Sequence, residues 1–117
     1  MTKQELGFEI GKQKDLFDQK ELILLRVLYG SYPEYAHARE IPMNERELRG
    51  KQGVRMTTSK KLLLISDWKV IATSKGYKLS NDPVEWQEAE RQISAHGISE
   101  MANIKHLKEQ KEEGLFS

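Results

Sequence analysis

A change in the spacing of apolar residues near Trp68 most strongly limits the folds open to this chain. Leu62, Ile65 and Trp68 recur at helical spacing, whereas residues 69–73 and 77–79 alternate with the period of two that is typical of a β-strand. The short segment between the two alternating stretches ends in glycine and suits a tight turn. The sequence therefore predicts a mainly α-helical protein with one small β-hairpin late in the chain.

Length and composition predict a single small domain. The 117 residues suffice for one hydrophobic core, and 32% of them are charged. The absence of cysteine excludes disulfides and cysteine-based zinc sites and fits a cytoplasmic protein. The longest apolar runs, 22–25 and 62–65, hold four residues each, whereas a membrane span needs about 20. The N-terminus lacks a signal-peptide pattern. We therefore expect a cytoplasmic location and no membrane partner.

The first helix is predicted from its capping residues. Asp18 suits the N-cap, Glu21 completes a capping box three residues later, and Gly30 is expected to end the helix. Its many apolar residues place this helix at the centre of the core. Residues 1–17 show only weak periodicity broken by two glycines. We interpret them as a flexible or loosely docked arm.

Two further helices are predicted before the hairpin. Asn44, with Glu47 three residues later, begins a short and mostly charged helix over residues 44–51. Gly53 breaks that helix and starts a turn. The following helix is expected over residues 57–68 and begins at a run of residues that can each cap it: Thr57, Thr58 and Ser59.

A long C-terminal helix is predicted over residues 81–117. Asp82 suits its N-cap and Pro83 its first helical position. Apolar residues then recur every three or four positions, and Gly97 allows a kink or break. The stripe is longer than the preceding domain can cover, so we expect either a homodimer or packing against residues 1–17. The residues assigned to dimerisation are Ile93, Met101, Ile104 and Leu107.

The order of helix, turn, helix and hairpin over residues 44–80 is that of a helix-turn-helix followed by a wing. Residues 71–79, which end in the strand Gly76-Tyr77-Lys78-Leu79, resemble the wing of winged-helix domains of the biotin-repressor type. The helix start that follows, Asp82-Pro83-Val84-Glu85-Trp86, is similar to that of small winged-helix proteins of bacteriophages and prophages. This resemblance extends over about residues 20–110.

The resemblance implies a winged helix-turn-helix fold with a long C-terminal helix. Together with the helix signals it divides the chain into an arm, a winged helix-turn-helix domain and a C-terminal helix, at residues 1–17, 18–80 and 81–117. It implies a non-enzymatic protein that binds double-stranded DNA in the host cytoplasm, as a phage-type transcriptional regulator or a replication accessory factor. Residues 53–57 match the family's turn only approximately, and Leu63 and Leu64 are unusually apolar for a recognition helix. The alternative is therefore a protein-interaction module that binds a host or phage protein.

Positive charge is concentrated in the middle of the chain. Residues 39–78 carry ten basic and four acidic groups, net +6, whereas residues 1–38 and 81–117 have net charges of −1 and −4. A basic segment between acidic flanks is typical of a module that binds an anion such as DNA. Arg55 is the best single candidate, because a guanidinium can bind phosphate or guanine bidentately. The full set of expected DNA contacts is Arg46, Arg49, Arg55, Thr57, Thr58, Ser59, Lys60, Lys61, Lys75 and Lys78. The alternative is that several of these side chains pair with neighbouring carboxylates.

Patterns typical of catalysis or metal binding do not occur. His96 and His106 are ten residues apart, whereas two imidazoles on one helical face need a spacing of about four. His37 is isolated from both. The sequence has no cysteine nucleophile and no glycine-rich phosphate loop. We therefore expect no enzymatic activity, no cofactor and no metal site.

Overall fold

The structure, a computed structural model, describes residues 1–96 and is mainly α-helical with one two-stranded antiparallel sheet. The α-helices and strands in this part of the chain are α1 (Lys3–Lys12), α2 (Gln19–Ser31), α3 (Glu45–Leu48), α4 (Val54–Ile65), β1 (Lys69–Thr73), β2 (Gly76–Ser80) and α5 (Pro83–His96). Two short 3₁₀ helices, Lys14–Leu16 and Ala38–Glu40, lie before α2 and α3. The predicted combination of helices with a small hairpin is thereby confirmed. Within residues 1–96 no helix has the length and hydropathy that a membrane span requires. Most of the predicted long C-terminal helix lies outside the described residues.

Reciprocal capping boxes begin α1, α2 and α3. In each, the N-cap side chain accepts a hydrogen bond from the backbone N–H three residues later, and the glutamate there accepts one from the N-cap N–H. The pairs are Thr2 with Glu5, Asp18 with Glu21, and Asn44 with Glu47. The predicted starts of α2 and α3 are therefore confirmed. Gly30 does not end α2 as predicted, since the helix continues to Ser31.

The N-terminal segment is part of the packed domain, which corrects the prediction of a loose arm over residues 1–17. Leu6 is fully buried, Phe17 is 5% exposed, and both belong to the main hydrophobic core. Gly7 lies against the ring of Tyr29, so that a Cβ there would be 2.6 Å from the tyrosine oxygen. The periodicity of α1 is weak because Leu6 is its one fully buried side chain.

The hairpin is fastened to the segment between α2 and α3. Strands β1 and β2 pair in antiparallel register, with Val70 opposite Leu79 and Ala72 opposite Tyr77. Ala36 forms a β-bridge with Tyr77 of β2. The Ala36 N–H donates to the Tyr77 backbone carbonyl oxygen at 2.8 Å, and the Tyr77 N–H donates to the Ala36 carbonyl oxygen at 2.9 Å. The hairpin therefore has a third, very short extended neighbour.

The core lies between α2, α4 and the hairpin. Leu24 and Leu28 of α2, Leu62 of α4 and Val70 of β1 are each 0–1% exposed. Trp68 closes this core at the end of α4, where it is 1% exposed and its Nε1 donates to the Met1 carbonyl oxygen at 2.8 Å. Helix α5 packs on the outer side of β1.

Candidate nucleic-acid interface

The turn before α4 holds α3 and α4 close together. Gly53 is the N-cap, and α4 begins at Val54 rather than at the predicted Thr57. A Cβ on Gly53 would lie 2.1 Å from the Arg49 carbonyl oxygen, so this close approach requires glycine. Gly50 has φ +93° in the same turn, a conformation that other residues rarely adopt. Two glycines thus allow a short connection between the helices.

The hydroxyl residues of α4 are turned mainly toward the protein. Ser59 Oγ donates to the Val70 carbonyl oxygen at 3.1 Å and accepts from the Val70 N–H at 2.9 Å. Thr58 is fully buried, and its Oγ1 has no hydrogen-bond partner among the described residues. The Thr57 hydroxyl donates to the Val54 carbonyl oxygen. The prediction that these hydroxyls open the helix is therefore wrong, because α4 begins earlier. Thr58 and Ser59 are also buried, which removes them from a surface that could meet DNA, whereas Thr57 is half-buried.

Lys61 links α4 to the start of α2. Its Nζ donates to Glu21 Oε1 at 2.7 Å, and the Glu21 side chain is only 2% exposed. The same oxygen accepts the Asp18 N–H at 2.8 Å in the capping box. A carboxylate this deeply buried requires a cation and hydrogen bonds. Lys61 is thus engaged by a buried carboxylate, which disfavours the predicted contact of its ammonium with DNA.

Lys78 links β2 to the first turn of α5. Its side chain is 11% exposed, and its Nζ donates to Glu85 Oε2 at 2.6 Å. Ser80 Oγ donates to the other carboxylate oxygen, also at 2.6 Å. The Lys78 ammonium is thus largely buried and paired with a carboxylate, which disfavours its predicted contact with DNA.

The Lys78–Glu85 ion pair shifts both pKa values. Burial is the largest single effect and opposes both charges, but the hydrogen bond to Glu85 together with the electrostatic attraction of Glu85, Tyr35 and Tyr32 outweighs it and raises the pKa of Lys78. For Glu85, hydrogen bonds from Lys78 and Ser80 outweigh burial and lower the pKa. The Glu85 contribution to stability is therefore complete above its unfolded pKa of about 4.3 and is lost as the pH falls through the folded value. The Lys78 contribution is complete below about 10.4 and is lost as the pH rises through the folded value.

Glu85→Gln is expected to lower the free energy of unfolding near neutral pH by about 1–3 kcal/mol, because a charge-assisted hydrogen bond is lost. The difference between wild type and variant should shrink as the pH is lowered below the unfolded pKa of about 4.3, because the Glu85 contribution is lost as the pH falls through the folded value. Urea unfolding near neutral pH and at a series of lower pH values measures this. A difference that does not change with pH would contradict the role of the ion pair.

Arg55 lies half-buried at the start of α4. Its Nη1 donates to the Val70 carbonyl oxygen at 3.4 Å, a long hydrogen bond that uses little of the donor capacity of a guanidinium. Burial lowers the pKa of Arg55, and the nearby Tyr77 and Glu90 oppose this shift. The ordinary pKa of arginine is so high that the group remains positive near neutral pH. Arg55 therefore supplies a fixed charge at the edge of the core.

The Tyr77 hydroxyl lies near two of the predicted DNA-contact residues. Burial raises the pKa of Tyr77, while Arg49 and Arg55 oppose that shift. Arg49 follows α3, Arg55 lies in α4 and Tyr77 in β2, so the end of one helix, the start of the next and the hairpin come together here. Lys75 in the hairpin turn is two residues from Tyr77. The fold thus groups positive charges from three elements.

Four of the predicted contact residues are exposed: Arg46, Arg49, Lys60 and Lys75. Arg46, Lys60 and Lys75 form no ion pair within residues 1–96. Arg49 Nη1 lies 3.5 Å from Glu45 Oε1, but both side chains are more than half exposed, and such a pair contributes little. These four side chains therefore offer positive charge to a partner.

Tyr35 lies beside this surface and was not among the predicted DNA contacts. Its ring centroid lies 5.7 Å from the Lys75 ammonium and 5.4 Å from that of Lys78. The bridge between Ala36 and Tyr77 brings Tyr35 beside the hairpin. No spacing along the chain signals this contact, because the two segments are distant in sequence.

The predicted dimerisation residues fall at or beyond the limit of what the structure describes. Ile93 lies in α5, but its side chain is outside the described part. Met101, Ile104 and Leu107 lie wholly outside the described residues. Dimerisation through this stripe stays a prediction, as does its packing against the N-terminal segment.

Comparisons with known proteins leave the function to be argued from the residues. No family model matches the chain, and comparisons with curated proteins and with solved structures find no match either. Residues 1–96 contain no group of three or more histidine, cysteine, aspartate or glutamate side chains placed to hold a metal ion. The exposed charges around the hairpin and the α3–α4 turn are the most distinctive chemical feature of the described part.

Proposed function

We propose that this protein is a non-enzymatic, double-stranded DNA-binding protein that uses a winged helix-turn-helix domain, as a phage-type transcriptional regulator or replication accessory factor. The observation that carries the proposal is the exposure of positive charges on α3, at the α3–α4 turn and in the hairpin: Arg46, Arg49 and Lys75. Half-buried Arg55 lies behind them. A surface of this charge attracts the phosphate backbone of DNA.

The arrangement of the elements supports the winged-helix part of the proposal. Helices α2, α3 and α4 are followed directly by the β1–β2 hairpin. The bridge between Ala36 and Tyr77 adds a short extended segment between α2 and α3 to the edge of that hairpin. In a winged helix-turn-helix, the second helix of the pair and the hairpin approach the duplex together. Here these are α4 and the turn at Lys75.

The proposed contacts go mainly to phosphates. Arg46, Arg49 and Lys75 are exposed and can each neutralise a phosphate. The backbone N–H groups at the start of α4 lie beside Arg55 and add partial positive charge, since Gly53 offers no side-chain cap. Lys60 is the exposed basic residue further along α4, where its neighbours are apolar. We therefore expect binding with modest sequence discrimination.

The combined variant Arg46→Ala, Arg49→Ala and Lys75→Ala tests the proposal. Loss of three phosphate contacts should raise the dissociation constant for a duplex of about 20 base pairs at least tenfold at low salt. Fluorescence anisotropy of a labelled duplex measures it. The fold should be retained, because these side chains are exposed.

A matched control removes three exposed positive charges elsewhere: Lys12→Ala, Lys14→Ala and Arg26→Ala. The net charge falls by the same amount, so any general electrostatic effect is equal in the two variants. We expect the control to change the dissociation constant less than about threefold. Equal effects of the two variants would contradict a localised DNA-binding surface.

A second candidate function is a protein-interaction module that binds a host or phage protein. The observation that favours it is the exposure of Leu63 and Leu64, 45% and 74%, on the outward face of α4. An apolar pair at this place suits a protein surface better than a DNA groove. Under this alternative the wild type would show no more affinity for duplex DNA than the triple variant.

A further inference from the structure

The hairpin turn lies against the segment that joins α2 and α3. A Cβ on Gly76 would be 2.3 Å from the Ala36 carbonyl oxygen and 3.4 Å from the His37 Cα, so the two backbones are in contact. Tyr35 comes just before this contact, and its ring centroid lies 5.7 Å from the Lys75 ammonium. This distance is within the range of a cation–π interaction, about 6 Å. A half-exposed aromatic ring therefore lies beside an exposed cation of the hairpin turn.

The Tyr35 ring is held from the protein side by a second cation. The Lys78 ammonium lies 5.4 Å from the ring centroid, and Lys78 is itself fixed by its ion pair with Glu85. The backbone next to Tyr35 is fixed as well, because Ala36 forms the β-bridge with Tyr77. The Tyr35 hydroxyl makes no hydrogen bond within residues 1–96. The ring is thus fixed in place, whereas its hydroxyl can still bind a partner.

We infer that Tyr35 is a DNA-contact residue: its ring positions the Lys75 ammonium for a phosphate, and its hydroxyl donates a hydrogen bond to a phosphate oxygen. The inference rests on the proposed DNA binding and adds to it a residue that carries no charge. A lysine side chain has a flexible four-carbon stem, so a ring beside its ammonium limits the positions that the charge takes. Tyrosine hydroxyls are among the donors that proteins use toward DNA phosphates. Successive phosphates of one strand are about 3.4 Å apart along the duplex axis, so a hydroxyl beside Lys75 can reach one of them.

A neutral hydroxyl and a lysine affect DNA binding in different ways. A cation that neutralises a phosphate releases counterions and makes the affinity depend on salt, with a slope of about −0.9 per phosphate. A hydrogen bond from a phenol to the same backbone releases none. Loss of the Tyr35 hydroxyl should therefore weaken binding by the same factor at every salt concentration, whereas loss of the Lys75 charge should also reduce the slope.

Fluorescence anisotropy of the full chain with a labelled duplex, at a series of salt concentrations, tests the hydroxyl. Tyr35→Phe keeps the ring and should raise the dissociation constant about three- to tenfold with an unchanged salt slope. Tyr29→Phe is the matched control, because this half-buried tyrosine of α2 lies against Gly7 of α1. We expect the control to bind within about twofold of the wild type. A wild type that binds the duplex and a Tyr35→Phe variant that binds it equally well would overturn the inference and leave the proposed function standing.

A double-mutant cycle tests the positioning role of the ring. Tyr35→Leu removes the ring and the hydroxyl together and should raise the dissociation constant about threefold more than Tyr35→Phe does. In the Lys75→Ala background this additional effect should disappear, because no ammonium remains at the turn for the ring to position. Tyr35→Phe should keep its full effect in the same background. An additional effect of Tyr35→Leu that persists without Lys75 would reflect a general loss of structure and would overturn the inference.

Nuclear magnetic resonance of the protein without DNA separates the inference from the proposed function. The ring current of Tyr35 should shift the Cε protons of Lys75 upfield of those of Lys60, which is exposed and contacts no aromatic ring within residues 1–96. Tyr35→Phe should keep this shift, and Tyr35→Leu should abolish it. Absence of the shift in the wild type overturns the inference, whatever the DNA affinity. A wild type that shows the shift but no salt-dependent duplex binding overturns the proposed function, and the DNA contact of Tyr35 with it.

Discussion

Replacing Lys61 by methionine is expected to lower the free energy of unfolding by about 3 kcal/mol, because it leaves the buried Glu21 carboxylate without its cation. Glu21 is 1% exposed and shares the same oxygen between Lys61 and the Asp18 N–H. The same change at the adjacent Lys60, which is exposed, should cost less than about 0.5 kcal/mol. Two neighbouring lysines thus have very different roles, which the fold alone assigns.

Urea unfolding of Lys61→Met and Lys60→Met measures this difference directly. Adding Glu21→Gln to Lys61→Met should recover much of the loss, since glutamine can still complete the capping box and carries no charge to be buried. Equal stabilities of the two single variants, or no recovery in the double variant, would contradict the buried ion pair. Under conditions in which the Lys61→Met variant is folded, its affinity for DNA should be close to that of the wild type.

Gly76→Ala is expected to cost about 2–4 kcal/mol, through backbone strain and the loss of hydrogen bonds. Gly76 has φ +127°, and a Cβ there would lie 2.3 Å from the Ala36 carbonyl oxygen. That oxygen accepts the Tyr77 N–H at 2.9 Å in the bridge that fastens the hairpin. The substitution therefore strains the turn and forces Ala36 away from β2.

Gly11→Ala is the matched control for the hairpin substitution. Gly11 lies inside α1, and a Cβ there would meet nothing within 4 Å. We expect this change to raise stability by up to about 1 kcal/mol, since alanine favours a helix over glycine. Thermal unfolding of both variants compares them. A Gly76→Ala protein as stable as the wild type would show that the bridge and the turn do not have the geometry described.

Local signals in the sequence predicted the parts of the fold that depend on neighbouring residues. The capping boxes at Asp18 and Asn44 and the hairpin turn before Gly76 each involve contacts within a few residues. The start of α4 was misplaced because Thr57, Thr58 and Ser59 are all good N-cap types. The start of α4 is set instead by the close packing of Gly53 on the Arg49 backbone, an effect that residue propensities do not describe.

The candidate site was only partly predictable because exposure depends on distant residues. Arg46, Arg49 and Lys75 are exposed, as a DNA-contact role requires. Lys61 and Lys78 count equally as basic residues in the sequence, but in the fold Lys61 forms an ion pair with Glu21 and Lys78 with Glu85. Charge counting therefore finds the basic segment, whereas tertiary contacts decide which of its side chains reach solvent.

The salt dependence of duplex DNA binding tests the central claim most directly. Four phosphate contacts, from Arg46, Arg49, Arg55 and Lys75, predict that log K falls against log salt concentration with a slope of about −3.6, from about −0.9 per phosphate. The combined Arg46, Arg49 and Lys75 variant should reduce the slope to about −0.9. A wild-type slope near zero, or a slope that the variant leaves unchanged, would contradict DNA binding through this surface.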